Sequence, residues 1–302
     1  MEKPFILHML TTAKNLSPFD VNMALDAGWV SAQPYTNVEP SEIQGLVQDA
    51  IFSRSSKNLK RTGIFIGGRD TKQAMDMLTM AKRSMFSPFE VSVFADPSGA
   101  FTTAAAMVAA VERELVTKFD TTLKDKNILV LGGTGPVGQV VAVIAAQGGA
   151  HVKLIGRQLD KAQAIVDMCN NEFGEGKISI EAGADVDKAD YIKTADVVFA
   201  TGAAGIELLS AELIASAPQL KVAADVNAVP PSGIAGVDAF DNGMPIAGSK
   251  SGAVGLGAMA IGNIKYQIQI MLLKKMISTE KPVYLHFEHA FEAAREYISS
   301  NS

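Results

Sequence analysis

The stretch NILVLGGTGPVGQVVAVIAAQGGAHVKLIGR, residues 127–157, limits the fold of this chain more than any other segment. An apolar run ends in Gly133-x-Gly135-x-x-Gly138, an apolar helical stretch follows, and a second apolar run closes at Gly156. Strand, glycine turn, helix and second strand in this order form the first unit of a doubly wound nucleotide-binding sheet. Gly133 permits the tight turn, Gly135 lets backbone approach a pyrophosphate, and Gly138 lets the helix pack close to the sheet. Thr134, Pro136 and Val137 complete the turn, and the helix start offers N–H groups to an anion. A purely structural strand-to-helix turn is the alternative, and the flanking strands at the right spacing speak against it.

Many such units end the second strand in an acidic residue that binds the adenosine ribose 2′-hydroxyl. Here the strand ends in Gly156-Arg157, with Lys161 one helical turn further on. A guanidinium matches the geometry of a phosphate, and a nearby ammonium adds charge. The expected cofactor is NADP, with NAD weaker. Arg157 and Lys161 as plain solvated charges are the alternative, which two cations at one such site disfavour.

Outside this unit the pattern keeps alternating. PFILHML (4–10), TGIFIG (62–67) and VSVFAD (91–96) read as strands, and 18–26, 70–85 and 102–116 as helices. The first helix opens at Ser17-Pro18, with Pro at its first position, and stops at Gly28. After the hydrophilic stretch TKFDTTLKDKN (117–127), KISIEA, DVVFAT and KVAADV read as further strands, and the tail from about Gly257 reads as helical. A chain of 302 residues exceeds the usual single core. The expected architecture is two-domain α/β. Residues 123–257 form a Rossmann-type, doubly wound NADP-binding domain, and residues 1–122 with 258–302 form an α/β substrate domain completed by returning C-terminal helices.

Composition and missing motifs exclude several function classes. A net charge of −5 argues against a nucleic-acid partner, because phosphate neutralisation needs clustered Lys and Arg. Apolar runs such as Val140 to Ala146 are too short to span a bilayer, and the first residues lack the shape of a signal peptide. The lone Cys169 allows neither an intrachain disulfide nor a multi-cysteine metal site. A cytoplasmic protein without a metal is expected. None of the five tyrosines has Lys four residues on, so the Tyr-x-x-x-Lys dyad of short-chain reductases is missing. His286 and His289 flank Glu288 as HFEH, which is not the zinc spacing and fits a helix surface or core role. Neither a P-loop nor a G-x-S-x-G elbow is present. Hydride transfer without an obvious proton-transfer dyad is what remains.

Ligands of α/β sheets gather beyond the carboxyl ends of the strands. Thr201-Gly202 ends one strand of the cofactor domain and Asp225-Val226-Asn227 the next, so both border the expected nicotinamide position. Asn227 reads either as a ligand of the carboxamide or ribose, or as a turn residue before Pro230-Pro231. Thr102 and Thr103 follow Pro97-Ser98-Gly99; they face a ligand or simply cap the next helix.

Several long segments carry a more specific signal. They are ILHML (6–10), SPFDVNMALDAG (17–28), QDAIFSR (48–54), FIGG (65–68), VFADPSGAFTTAAAMVA (93–109), GGTGPVG (132–138), GRQLDKAQ (156–163), TGAAGIELL (201–209), DVNAVPPSGIAGVD (225–238) and GLGAMAIGNIKYQ (255–267). Together they resemble the bacterial methylene-tetrahydromethanopterin dehydrogenases of methylotrophs over nearly the whole chain. The resemblance implies oxidation of the methylene group on a pterin C1 carrier, with hydride passed to NADP or NAD, in the service of formaldehyde oxidation. It also implies a homo-oligomer. The N-terminal segments and DVNAVPPSGIAGVD look like the subtype that prefers tetrahydromethanopterin. GGTGPVG and GRQLDKAQ look like the NADP-specific subtype, which also accepts methylene-tetrahydrofolate.

Site residues follow from the same resemblance. Lys265, in GNIKYQ, matches a lysine of the family's active-site region and is expected to hydrogen-bond the pterin; without the resemblance it reads as a surface lysine on an amphipathic helix. Asp20, in SPFDVNMA, is expected to stabilise the cation that hydride loss creates, or else to serve as a helix N-terminal acid. Asn22, with Lys14 a weaker companion, and Thr102 and Thr103 are the expected carrier contacts. Folate-type bifunctional enzymes carry Tyr-x-x-x-Lys for cyclohydrolase work, so that activity is expected to be absent. A shikimate- or folate-type dehydrogenase and a non-catalytic NADP sensor are the competing readings; Lys265 and Asp20 speak against the sensor.

Overall fold

The structure, a computed structural model, describes residues 2–174 and 176–301. Within them the chain forms two compact α/β units, Met1–Thr102 with Tyr266–Ala293, and Thr103–Lys265 with Ala294–Ser302. In chain order the first part gives β1 (Ile6–Leu10), α1 (Pro18–Asp26), β2 (Ser31–Tyr35), α2 (Ile43–Phe52), β3 (Thr62–Ile66), α3 (Thr71–Arg83), β4 (Ser92–Ala95) and α4 (Ala100–Phe119). Next come β5 (Asn127–Leu131), α5 (Pro136–Gln147), β6 (His151–Gly156), α6 (Leu159–Met168), β7 (Ile180–Ala184), α7 (Lys188–Tyr191), β8 (Val197–Ala200), α8 (Ala211–Ala215), β9 (Val222–Asp225), β10 (Asn242–Pro245) and β11 (Val254–Leu256). The chain closes with α9 (Ala258–Ser278), β12 (Tyr284–Leu285) and α10 (Phe287–Ser300).

The divisions between the units fall inside α4, α9 and α10; from the sequence, the hydrophilic stretch 117–127 suggests a boundary at 122/123 and the start of the helical tail one at 257/258. Loop composition marks where regular structure stops. A helix with no Pro or Gly to break it, such as AFTTAAAMVAAVERELVTKF, runs on past the edge of one core.

The sheet of the first unit has the order β12-β4-β3-β1-β2, and every pair is parallel. Its central strand β3, TGIFI, is buried at each of its positions, as a strand covered on both faces must be. Leu7, Met9, Ile64, Phe65, Val93 and Phe94 form the packed centre, and each such side chain contributes about 1.5–3 kcal/mol on burial. Trp29 lies over β3 because residue 63 is glycine: a Cβ there would stand 2.4 Å from Trp29 Cη2. The indole N–H donates to the Leu273 carbonyl at 3.3 Å, so the Trp29 polar atom is satisfied in the core. β2, SAQPY, is one of the two edge strands, where the missing N–H of Pro34 is tolerated.

The second sheet runs β10-β11-β9-β8-β5-β6-β7. All pairs are parallel except β10 against β11. Consecutive parallel strands leave β5 in opposite directions, β6 and β7 on one side, β8 and β9 on the other. That is the doubly wound order, with its switch point between β5 and β8. α5 opens with Pro136 at its first turn and buries residues 138–145 without interruption, the pattern of a helix apolar all round.

Candidate active site

The glycine turn sits at the switch point, between β5 and α5. Two of its glycines are demanded by crowding. A Cβ on Gly133 would lie 2.6 Å from Leu154 Cγ, and one on Gly138 would lie 2.5 Å from Gly133 Cα and 2.6 Å from Thr201 Oγ1. Gly135 differs: the nearest heavy atom to its Cβ position is 3.8 Å away. No protein neighbour requires a glycine there, and a side chain would occupy the space over the turn that a pyrophosphate needs. No side chain caps the α5 N-terminus, so the N–H groups of Val137 and Gly138 are in the first turn, where a helix has no acceptor of its own. Gln139 Nε2 donates to the Thr134 carbonyl at 2.9 Å and holds the turn from behind. The local chemistry fits a dinucleotide phosphate.

Gly156 ends β6 directly beside this turn. A Cβ on it would lie 3.0 Å from Thr134 Cγ2 and 3.1 Å from Ala162 Cβ. Arg157 and Lys161 follow at the start of α6, both exposed. Neither side chain makes a hydrogen bond or ion pair among the described residues. Both cations are therefore available to an external anion at no internal cost.

Thr201 and Asn227 lie at the ends of β8 and β9, each 8% exposed. Thr201 donates to the Leu131 carbonyl from both its N–H, at 2.9 Å, and its hydroxyl, at 3.1 Å. Gly202 packs under Leu208, whose Cδ1 would be 2.7 Å from a Cβ. The Asn227 amide oxygen accepts from Gly205 N–H at 3.2 Å and Val229 N–H at 2.9 Å, and its NH2 group donates to the Pro231 carbonyl at 2.8 Å. Asn227 thus ties together the loops after β8 and β9. Beneath it, Asp225 is 2% exposed and accepts from Asn227 N–H at 2.9 Å, Gly233 N–H at 2.6 Å and Ile234 N–H at 3.2 Å. Burial pushes its carboxyl up from the ordinary range, against the pull of those three donors. From sequence Asp225 is only the start of the segment that borders the nicotinamide position; its role in holding the β9 turn through three backbone N–H groups is visible only in the structure.

In the first unit, Asp20 is 3% exposed on the first turn of α1, and Gln269 Nε2 donates to its Oδ1 at 2.9 Å. The position is that of a helix N-terminal acid, and the pairing with Gln269, which carried no sequence signal, fixes the carboxylate there. Asn22 is exposed on α1, and Lys14 is exposed in the loop before it. Thr102 is fully buried, with its hydroxyl donating to Asp96 Oδ2 at 2.6 Å; Asp96 Oδ1 accepts from the N–H groups of Phe101, at 2.9 Å, and Thr102, at 3.2 Å. Asp96 is therefore the residue that caps α4, and the Thr102 hydroxyl is turned inward onto it. Thr103, the first residue of the second unit, is half-buried. Lys265 lies on α9 and is only 9% exposed, which is not the environment of a surface lysine.

The two histidines of HFEH lie at the start of α10 with ring centroids 4.6 Å apart. Among the described residues no cluster of three or more His, Cys, Asp or Glu is gathered as a metal site, and no helix is long and apolar enough to cross a membrane.

The family model described as methylene-tetrahydromethanopterin dehydrogenase, N-terminal, matches residues 18–98. An NAD(P)-dependent methylenetetrahydromethanopterin dehydrogenase of Methylorubrum extorquens is 45% identical over 292 residues, 96% of this chain and 98% of the relative. The bifunctional protein MdtA of the same organism is 35% identical over 291 residues, 96% of this chain and 98% of the relative. Among solved structures, the quinate dehydrogenase of Corynebacterium glutamicum in complex with NAD shares the fold, with a TM-score of 0.53 at 14% identity, covering 98% of this chain and 99% of that one.

Proposed function

The chain belongs to the NAD(P)-dependent methylenetetrahydromethanopterin dehydrogenase family, and from that premise we propose how its own residues carry the reaction. It is an oxidoreductase of class EC 1.5.1.- that moves hydride from the methylene carbon of N5,N10-methylene-tetrahydromethanopterin to NADP, leaving the methenyl carrier; NAD is the weaker acceptor. Methylene-tetrahydrofolate is the second carrier to test. The observation that carries the reading is the 45% identity to the dehydrogenase along 96% of this chain.

Hydride leaves a carbon flanked by two nitrogens, and their lone pairs spread the resulting charge, so the protein needs no strong base. NADP supplies the hydride acceptor. The protein supplies orientation and field, and proximity alone is worth about 7–11 kcal/mol of the barrier. Gly133 to Gly138 hold the pyrophosphate with backbone N–H groups, and Gly135 leaves the room for it. Arg157 and Lys161 take the adenosine 2′-phosphate. Thr201, Gly202 and Asn227 shape the nicotinamide end by fixing the two loops beyond β8 and β9. Lys265 hydrogen-bonds the pterin and sets its angle, and Asp20, its rotamer held by Gln269, supplies negative charge that favours the methenyl cation. Asn22, Thr102 and Thr103 belong to the carrier side, Thr102 through Asp96.

The finer setting is formaldehyde oxidation in the cytoplasm, by a homo-oligomer. The ring cluster of exposed Phe52 and Phe86 with half-buried Phe89, centroids 5.6–6.1 Å apart, supports association with further copies. Steady-state kinetics with both carriers against NADP and NAD, read by the absorbance of reduced nicotinamide, test the reading. Turnover should be fastest with the methanopterin carrier and NADP; no cofactor reduction in any pairing would sink it.

A further inference from the structure

At the carboxyl edge of the first sheet, the turns after β4, β3 and β1 lie side by side in sheet order. Gly67 N–H donates to the Leu10 carbonyl at 2.8 Å, and Asp96 N–H donates to the Ile66 carbonyl at 3.0 Å. Both bonds extend the sheet's own ladder. A third bond is of another kind: Ser98 Oγ donates to the Gly68 carbonyl at 2.8 Å and joins the β4 turn to the β3 turn through a side chain. Ser98 is exposed, and its backbone is left-handed, with φ 53° and ψ 27°. Glycine takes that conformation freely, and an L-residue takes it at a cost. An exposed serine adds nothing to the core, so what the position gains over glycine is the hydroxyl. Strained residues of this kind cluster at ligand sites.

The surroundings fit that reading. Gly67, Gly68 and Gly99 contribute bare backbone to the rim, and a Cβ on Gly68, whose φ is +109°, would come within 3.2 Å of Thr12 Oγ1. Asp96 fixes the β4 turn from below and draws the Thr102 hydroxyl inward, so Ser98 is the hydroxyl this turn presents outward. A flat heterocycle with donors and acceptors along its edge needs such a wall: backbone polar groups at fixed spacing, without side chains in the way.

We infer that Ser98 is a positioning residue for the C1 carrier, setting the spacing of the Gly68 and Ser98 turns on which the ring edge rests. The inference depends on the dehydrogenase reading. Ser98→Gly tests it, because glycine keeps the left-handed turn and removes only the hydroxyl. The expected result is a rise of about three- to ten-fold in KM for methylene-tetrahydromethanopterin, the worth of one net hydrogen bond, with kcat, Tm and the Kd for NADP little changed. Ser98→Asn, which tolerates the backbone and restores a donor, should recover most of the lost KM. An unchanged KM in Ser98→Gly, a loss of Tm and NADP binding in step with it, or no recovery in Ser98→Asn overturns the role. If the wild type reduces NADP with this carrier, such a result rejects Ser98 alone; if it does not, the functional reading falls and Ser98 with it.

Discussion

Replacement of Arg157 by alanine isolates the energy of 2′-phosphate recognition. The guanidinium is exposed at the end of β6, and it has no intramolecular partner among the described residues. Its removal leaves no buried group unsatisfied, so stability should stay within about 0.5 kcal/mol of wild type. In the complex, a hydrogen-bonded guanidinium–phosphate pair is worth about 1.5–3 kcal/mol net. Solvent exposure places this one at the lower end, about 1.5–2 kcal/mol, since exposed ion pairs are weakened by water and salt. At about 1.4 kcal/mol per factor of ten, the Kd for NADP should rise roughly 10- to 30-fold. NAD carries no 2′-phosphate, so its Kd should not move. Isothermal titration of both cofactors into wild type, Arg157→Ala and Lys161→Ala measures the difference directly. The wild-type preference for NADP should also shrink as salt rises, while NAD binding stays level. An unchanged ratio of NADP to NAD affinity in Arg157→Ala, in protein that unfolds like wild type, would refute the assignment of the 2′-phosphate to this residue.

Lys265→Ala should lower turnover by about 10²-fold, the scale of losing one oriented donor, while NADP titrations stay near wild type; parallel loss of both would reject a role toward the pterin. Gly138→Ala places a Cβ 2.5 Å from Gly133 Cα, which is backbone and cannot step aside. It should cost about 1–3 kcal/mol of stability and weaken NADP and NAD alike, as urea melts and titrations would show. Burial, aided by neighbouring His289, pushes the His286 imidazole down from 6.5 to about 4. Above 6.5 both folded and unfolded chains hold it neutral. As pH falls from there towards 4 the unfolded chain binds a proton that the folded chain refuses, so stability should drop by up to about 3 kcal/mol across that window and level off below it. Urea midpoints for wild type and His286→Leu should converge at neutral pH and separate in acid; parallel acid profiles would contradict this.

Burial pattern and local turn chemistry made much of the fold readable. Helix α1 was placed at 18–26, as the structure has it, because Ser17-Pro18 and Gly28 bound it by rules that act within a few residues. The central strands β5, β8 and β9 were readable as near-continuous apolar runs, as strands buried on both faces must be; edge strand β7, half-exposed, begins three residues into the predicted KISIEA. β2 was not. SAQPY lies at the sheet edge, where no apolar alternation is demanded and Pro34 is harmless. The short strands β10 and β11 were also missed, since residues 242–245 and 254–256 pair with each other across a loop and carry little pattern of their own.

The candidate site divides along the same line. The chain alone marked the glycine turn and the cations after β6: Gly133 and Gly138 are forced by close contacts with Leu154 and with the backbone of Gly133, which lie within the strand–turn–helix–strand unit itself. Tertiary structure decided which polar side chains are free to meet a ligand. It turned Thr102 onto Asp96, bound Asp20 to Gln269 across 249 residues of sequence, folded the Asn227 amide into its own loops, and left Ser98 facing outward. A side chain's hydrogen-bond partner is selected by proximity in three dimensions and by the cost of leaving a buried polar group unpaired. Residue spacing along the chain carries no record of that choice.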